Sequence, residues 1–218
     1  MKKLSLLTII FTSLFMLNCS IDDENSTAPS SSFELKPNDF RGTIQNGTVS
    51  LNPTENYKLT GALVVKEGAT LNIPAGTKIT AAAGTTTSAY IGVERGATIN
   101  ISGTASNPVV MTSETQSPGS WGGLAIAGYG ITNAGVDVTS EVGDLTYGGT
   151  DNTDSSGSIT YLRVEYTGAT FTNEKEFNGV TLFGVGSGTI FKNVSSVNGG
   201  DDGIEFFGGT VNVRYAVS

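Results

Sequence analysis

Apolar and polar residues alternate along this chain in short bursts. Leu71 and Ile73 flank Asn72, and Ile99 and Ile101 flank Asn100; segments 62–65, 90–93 and 109–112 are similarly short and β-rich. A period of two puts every second side chain on one side of an extended strand. Gly, Pro or Asn closes each burst within a few residues, which is the punctuation of tight corners. No segment combines the 3.6-residue period with the length of a core helix, so the pattern predicts an all-β protein of many short strands.

Strands this short cannot bury an apolar side alone. The chain repeats itself in a way that supplies the partner: VKEGATLNI at residues 65–73 matches VERGATINI at 93–101, an offset of 28. Gly188-Thr189-Ile190 recurs as Gly209-Thr210-Val211 at an offset of 21, and Gly157-Ser158-Ile159 precedes the first of these by 31. Near-copies at an irregular period of about 20–28 residues fit coils of three short strands and three corners, stacked one on the next. The expected fold is a right-handed parallel β-helix, with Leu71 stacked on Ile99 and Ile190 on Val211 inside. A sandwich or jelly roll also uses short strands and frequent turns, but it does not require copies at a coil-sized offset.

The N-terminus reads differently. MKKLSLLTIIFTSLFMLNCS has two lysines, an apolar run to Leu17 that is too short to span a bilayer, and then the single cysteine of the chain. Leu17-Asn18-Cys19-Ser20 resembles a bacterial lipobox, with cleavage before Cys19 and a diacylglycerol on its thiol; an ordinary signal peptide ending in a chance cysteine is the plainer alternative. The acidic run Asp22-Asp23-Glu24 resembles the export signal of lipoproteins displayed on the outer membrane. The expected organisation is a signal peptide at 1–18, lipidated Cys19 and a polar tether at 19–38, and the β-helix at 39–218. Outer-membrane lipid is then a partner through Cys19.

Charge and composition remove several functions. Twelve Lys and Arg stand against 20 Asp and Glu, for a net charge of −8, and there is no histidine. Removing residues 1–18 deletes Lys2 and Lys3 and leaves −10. Nucleic acid is excluded for want of a basic footprint, and His-based zinc sites and Ser-His-Asp triads for want of histidine. One cysteine allows no internal disulfide.

GSWGGLAIAG at 119–128, ITYLRVEY at 159–166, NGVTL at 178–182 and DDGIEFFGG at 201–209 resemble bacterial cell-surface lipoproteins built on a pectate-lyase-like β-helix. The resemblance implies fold and location, and a solenoid that continues past Ser218; it carries no agreed enzymatic activity. GDDGI at 200–204 is also similar to the Asp-Asp segment of polygalacturonases, which hydrolyse glycosidic bonds with a proton-donating acid and a carboxylate-activated water. The Gly-His-Gly and Arg-x-Lys segments of those enzymes are missing, and Arg163, Lys192 and Arg214 suggest no basic cluster for a lyase.

The Asp pair in NGGDDG therefore has three readings. Asp201 and Asp202 are turn residues flanked by glycines that allow positive φ, or Asp201, Asp202 and Glu205 hold a structural Ca²⁺, or Asp201 and Asp202 are catalytic. Trp121 reads as a core or corner aromatic ahead of a sugar platform. Tyr129, Tyr147, Tyr161 and Tyr166 are either an aromatic strip for glycans or scattered residues. Segments 130–157 and 169–177 are insertions that a solenoid must push outward, and any binding site is expected between them, near Glu174. Residues 173–176 are expected to form one helical turn. The function expected is non-catalytic adhesion or polysaccharide binding at the cell surface. The alternatives are a polysaccharide lyase or glycoside hydrolase acting on acidic glycans, and a structural role in the envelope.

Overall fold

The computed structural model describes residues 31–172 and 175–218. Among them there is no α-helix; Pro37–Asp39 forms one 3-10 turn and nearly all other regular structure is strand. Fourteen strands pair in parallel. Several of them run through a corner and change partner: Asn56–Val65 pairs with Lys78–Ala81 through residues 56–59 but with Ile91–Val93 through residues 63–65. The ladders therefore fall into three sheets wound by one chain, a parallel β-helix.

Sheet A stacks Thr48–Ser50, Thr70–Pro74, Thr98–Ser102 and then residues 157–160, 190–192 and 212–214. Sheet B stacks residues 56–59, Lys78–Ala81, Val109–Ser113 and then 162–164, 194–197 and 216–217. Sheet C stacks residues 42–44, 63–65, Ile91–Val93, Leu124–Ala127, Val180–Phe183 and Ile204–Phe207. Each coil runs from A through B to C.

The alternation seen in the sequence is the inside of this stack. Thr70–Pro74 lies on Thr98–Ser102 with Leu71 opposite Ile99 and Ile73 opposite Ile101, so the offset of 28 is a true coil register. All four side chains are fully buried. The later repeats slip by one. Ile190 faces Asn212 and is half exposed, while Phe191 stacks between Ile159 and Val213. The true offsets are 32 and 22, and matching the Gly-Thr-Ile words pairs residues from opposite faces, because a shift of one reverses every side chain in a strand.

Two insertions leave the solenoid. Residues 128–156 join sheet C to sheet A and contain Val138–Thr139 paired antiparallel with Thr146–Tyr147. Thr170–Thr172 pairs antiparallel with Lys175–Glu176, so the helical turn expected at 173–176 is replaced, in its described part, by strand. The first insertion folds back over sheet C. Val142, Leu145 and Tyr147 pack there on Ala125, Ala127 and Phe183 as a second, smaller core.

Candidate functional site

The NGGDDG corner sits where three coils touch. The carbonyl of Thr167 accepts hydrogen bonds from the backbone N–H of Gly119 at 2.9 Å and of Gly200 at 2.8 Å. A Cβ on Gly200 would come within 2.7 Å of the Gly168 oxygen and 2.8 Å of the Gly119 nitrogen. Gly200 is thus required by close stacking and not by backbone twist; the residue with positive φ is Asn198, at 55°. NGGDDG is a corner between coils, and its glycine serves close stacking where the sequence suggested positive φ. Asp201 and Asp202 are left pointing outward from it.

Carboxylates from separate segments converge on this corner. Asp201 interacts with Glu176 of the short hairpin, and the charges of Asp201 and Glu176 act on Glu141 of the long insertion. Glu205 feels Glu141, Asp202 and Asp201. Beneath them Asn178 is buried; its Nδ2 donates to Glu205 Oε2 at 2.5 Å and lies 3.4 Å from Thr181 Oγ1, while its Oδ1 has no partner. Partial burial raises Asp201 above the usual carboxylate range, and Glu176 adds to the shift. Burial likewise raises Glu141, with Lys175 opposing and Asp201 and Glu176 reinforcing. Glu205 is raised by burial and by Glu141, against the Asn178 hydrogen bond. Asp201, Glu141 and Glu205 thus hold protons more tightly than isolated carboxylates, and the acidic cluster repels polyanions.

Residues 42–218 match the family model described as a pectate-lyase like beta helix domain. The chain belongs to this family. Neither a curated protein nor a solved structure matches it. Membership in the pectate-lyase-like β-helix family fits a polysaccharide-related role. In this member no three Asp, Glu, His or Cys side chains among the described residues are arranged to hold a metal. Asp201, Asp202 and Glu205 do not form such a group, and Glu205 accepts from Asn178 Nδ2.

The other candidate residues of this β-helix are dispersed. Trp121 is 1% exposed and its indole N–H donates to the Glu165 carbonyl at 2.8 Å, so it is a core residue with no ring face open to sugar. Tyr147 is buried as well, its ring 5.1 Å from that of Phe183. Tyr161 and Tyr166 are corner residues with φ of 49° and 60°. Tyr129 lies under the Arg95 guanidinium, 4.7 Å from its ring centre, and donates to Glu67 Oε1 at 3.1 Å. These rings form no aromatic strip. Cys19 and Glu174 lie outside the described residues.

Residues not singled out by sequence reasoning complete the picture. Glu141, Glu176 and Asn178 build the acidic corner; no period marks them, and only their place in or beside the two insertions hints at it. Arg95 fastens the long insertion to the second coil, through an ion pair to Asp137 at 2.7 Å and a hydrogen bond to the Gly148 carbonyl at 2.5 Å. Lys192 and Arg214, which read as scattered in the sequence, stand side by side in register on sheet A, a pairing hidden by the slipped repeat.

Proposed function

We propose that this chain is a non-catalytic polysaccharide-binding β-helix, tethered to the outer membrane by a lipid on Cys19. The observation that carries the choice of binding over catalysis is the closed outer surface of sheet C. Phe177, Phe183, Tyr147 and Leu145 fill it, so the acidic corner borders a packed core and not an open cleft along the coils. Of the cations weighed as a lyase base, Arg163 pairs with Glu165, and Lys192 and Arg214 stand on sheet A, away from the sheet C corner. Incubating the tethered protein with neutral and acidic polysaccharides tests the proposal. Retention of polysaccharide without release of new chain ends is expected; turnover abolished by Asp202→Asn or Asp201→Asn would overturn it.

One observation favours a hydrolase as the second reading. Asp201 holds a proton more tightly than usual beside Glu176, as a general acid would. The same incubation decides between them. For the tether, the expected result is that Cys19→Ser releases the protein from membranes, and persistence of the variant in the membrane fraction would contradict it.

A further inference from the structure

The outer surface of sheet A is unlike the other two. Thr48, Thr70 and Thr98 form one outward column, and Ser50, Asn72, Asn100 and Ser158 form a second beside it. The third column begins Pro74, Ser102, Thr160. No charge appears over these four coils, in a chain with 12 basic and 20 acidic residues. Sheet B, by contrast, carries the Lys58–Glu114 and Arg163–Glu165 ion pairs on its outside, and sheet C is covered.

The second column is already ordered. Asn72 Nδ2 donates to Ser50 Oγ at 3.1 Å, and Asn100 Nδ2 donates to Asn72 Oδ1 at 3.0 Å. Each amide spends one N–H on its neighbour and has a second to offer outward. A depression of about 500 Å³ runs over these residues, with Pro74 contributing apolar surface beside the amide column. An apolar proline ring beside hydrogen-bonding amides and hydroxyls suits a pyranose ring, which presents C–H faces and hydroxyl edges. Coils repeat every 4.8 Å or so, close to the advance of one sugar unit along an extended glycan.

Resting on the polysaccharide-binding reading above, we infer that the outer face of sheet A binds an uncharged, extended, linear polysaccharide lying along the solenoid axis. Asn72 and Asn100 hydrogen-bond successive sugar units. An acidic polymer would find cations only at Lys192 and Arg214, where the third column continues onto the next two coils. A second copy of the chain has little to hold it here, because the exposed large apolar residues lie off this part of sheet A, Phe171 in the short hairpin and Ile190 and Tyr215 on later coils.

Calorimetric titration of the full chain with β-1,4-linked hexamers of glucose, mannose and xylose, and with a galacturonate hexamer, tests this. At least one neutral hexamer is expected to bind, with the galacturonate hexamer weaker. Asn72→Thr with Asn100→Thr, which keeps β-formers at both positions, should weaken that binding by at least about tenfold. Lys58→Gln on sheet B should leave it unchanged. If the double variant does not fold, Ser50→Asp with Ser158→Glu places charge at two other positions of the same column and carries the same expectation. Equal affinity in the sheet A variants, or preference for the galacturonate hexamer, overturns the sheet A assignment while polysaccharide binding stands. No binding of any glycan by the unmodified chain overturns both.

Discussion

Sheets A and C share an interior and differ outside. In both, β-branched and leucine side chains stack coil on coil in register, Leu71 on Ile99 in A and Leu63 on Ile91 in C. Outside, sheet A presents hydroxyls and amides to solvent, whereas sheet C presents Ala125, Ala127 and Phe183 to an insertion that covers them. The interior columns settle the fold, because stacking is the way such short strands remove apolar surface from water. The outer columns are free of that constraint, and there the two sheets diverge into an open surface and a sealed one.

The largest expected effect breaks the stack that both sheets share. Gly123 has φ of 88°, and a Cβ there would lie 2.2 Å from the Asn178 carbonyl oxygen. Gly123→Val should cost more than about 4 kcal/mol, enough to prevent folding of the later coils. Urea unfolding measures this, and a cooperative transition at the original midpoint would contradict the close-approach explanation.

Phe183→Ala separates the two sides of sheet C. It should cost about 3–5 kcal/mol, and the ring stacked at 4.7 Å on Phe207 and at 5.1 Å on Tyr147 would be gone. Hydrogen exchange should rise in residues 138–147 while residues 70–74 and 98–102 stay protected. Equal loosening of both regions would mean that the second core is not separate from the first.

Arg95→Ala should be milder, about 1–3 kcal/mol. It removes the Asp137 ion pair, the Gly148 hydrogen bond and the stacking on Tyr129. Protease cutting within 130–150 is the readout, and unchanged resistance would show that the apolar contacts alone hold the insertion.

The smallest effect concerns protons. Asp201, Glu141 and Glu205 are raised in the folded protein. The folded chain therefore binds protons more tightly than the unfolded one, between the ordinary carboxylate range, about 4, and the raised values. Stability from these groups grows as pH falls from neutral through that window, and levels off below it. Asp39, Glu114 and Asp151 are held low, chiefly by the Thr60, Lys58 and Thr153 hydrogen bonds, and what they contribute is lost only at lower pH. Asp201→Asn should raise Tm at neutral pH by about 1–2 °C and flatten the rise on mild acidification. A variant with the parent's pH profile would remove the acidic corner from the account.

What the sequence made legible follows the same division. The alternation in 65–73 and 93–101 gave strands, coil register and buried residues, because interior columns demand similar side chains at each level. The Gly-Thr-Ile words misled by one position, since a corner motif is free to slide relative to the strand after it. Asp201 and Asp202 were visible as a pair, but Glu141 and Glu176 reach them through two insertions whose folding no period records. Trp121 reads as core ahead of surface in the sequence, and its indole N–H on the Glu165 carbonyl puts it there. The Ser50, Asn72 and Asn100 column lay in the alternation as the polar half, and only the register showed it to be continuous.

The contrast between an open sheet A and a sealed sheet C is tested most directly by the side-chain amide resonances of the uniformly ¹⁵N-labelled protein during titration with the neutral hexamer that binds best. Asn72 and Asn100 should shift with saturation while Asn178, beneath the acidic corner, stays in place. Movement of Asn178 with Asn72 and Asn100 unmoved would put the glycan at the corner and contradict the account.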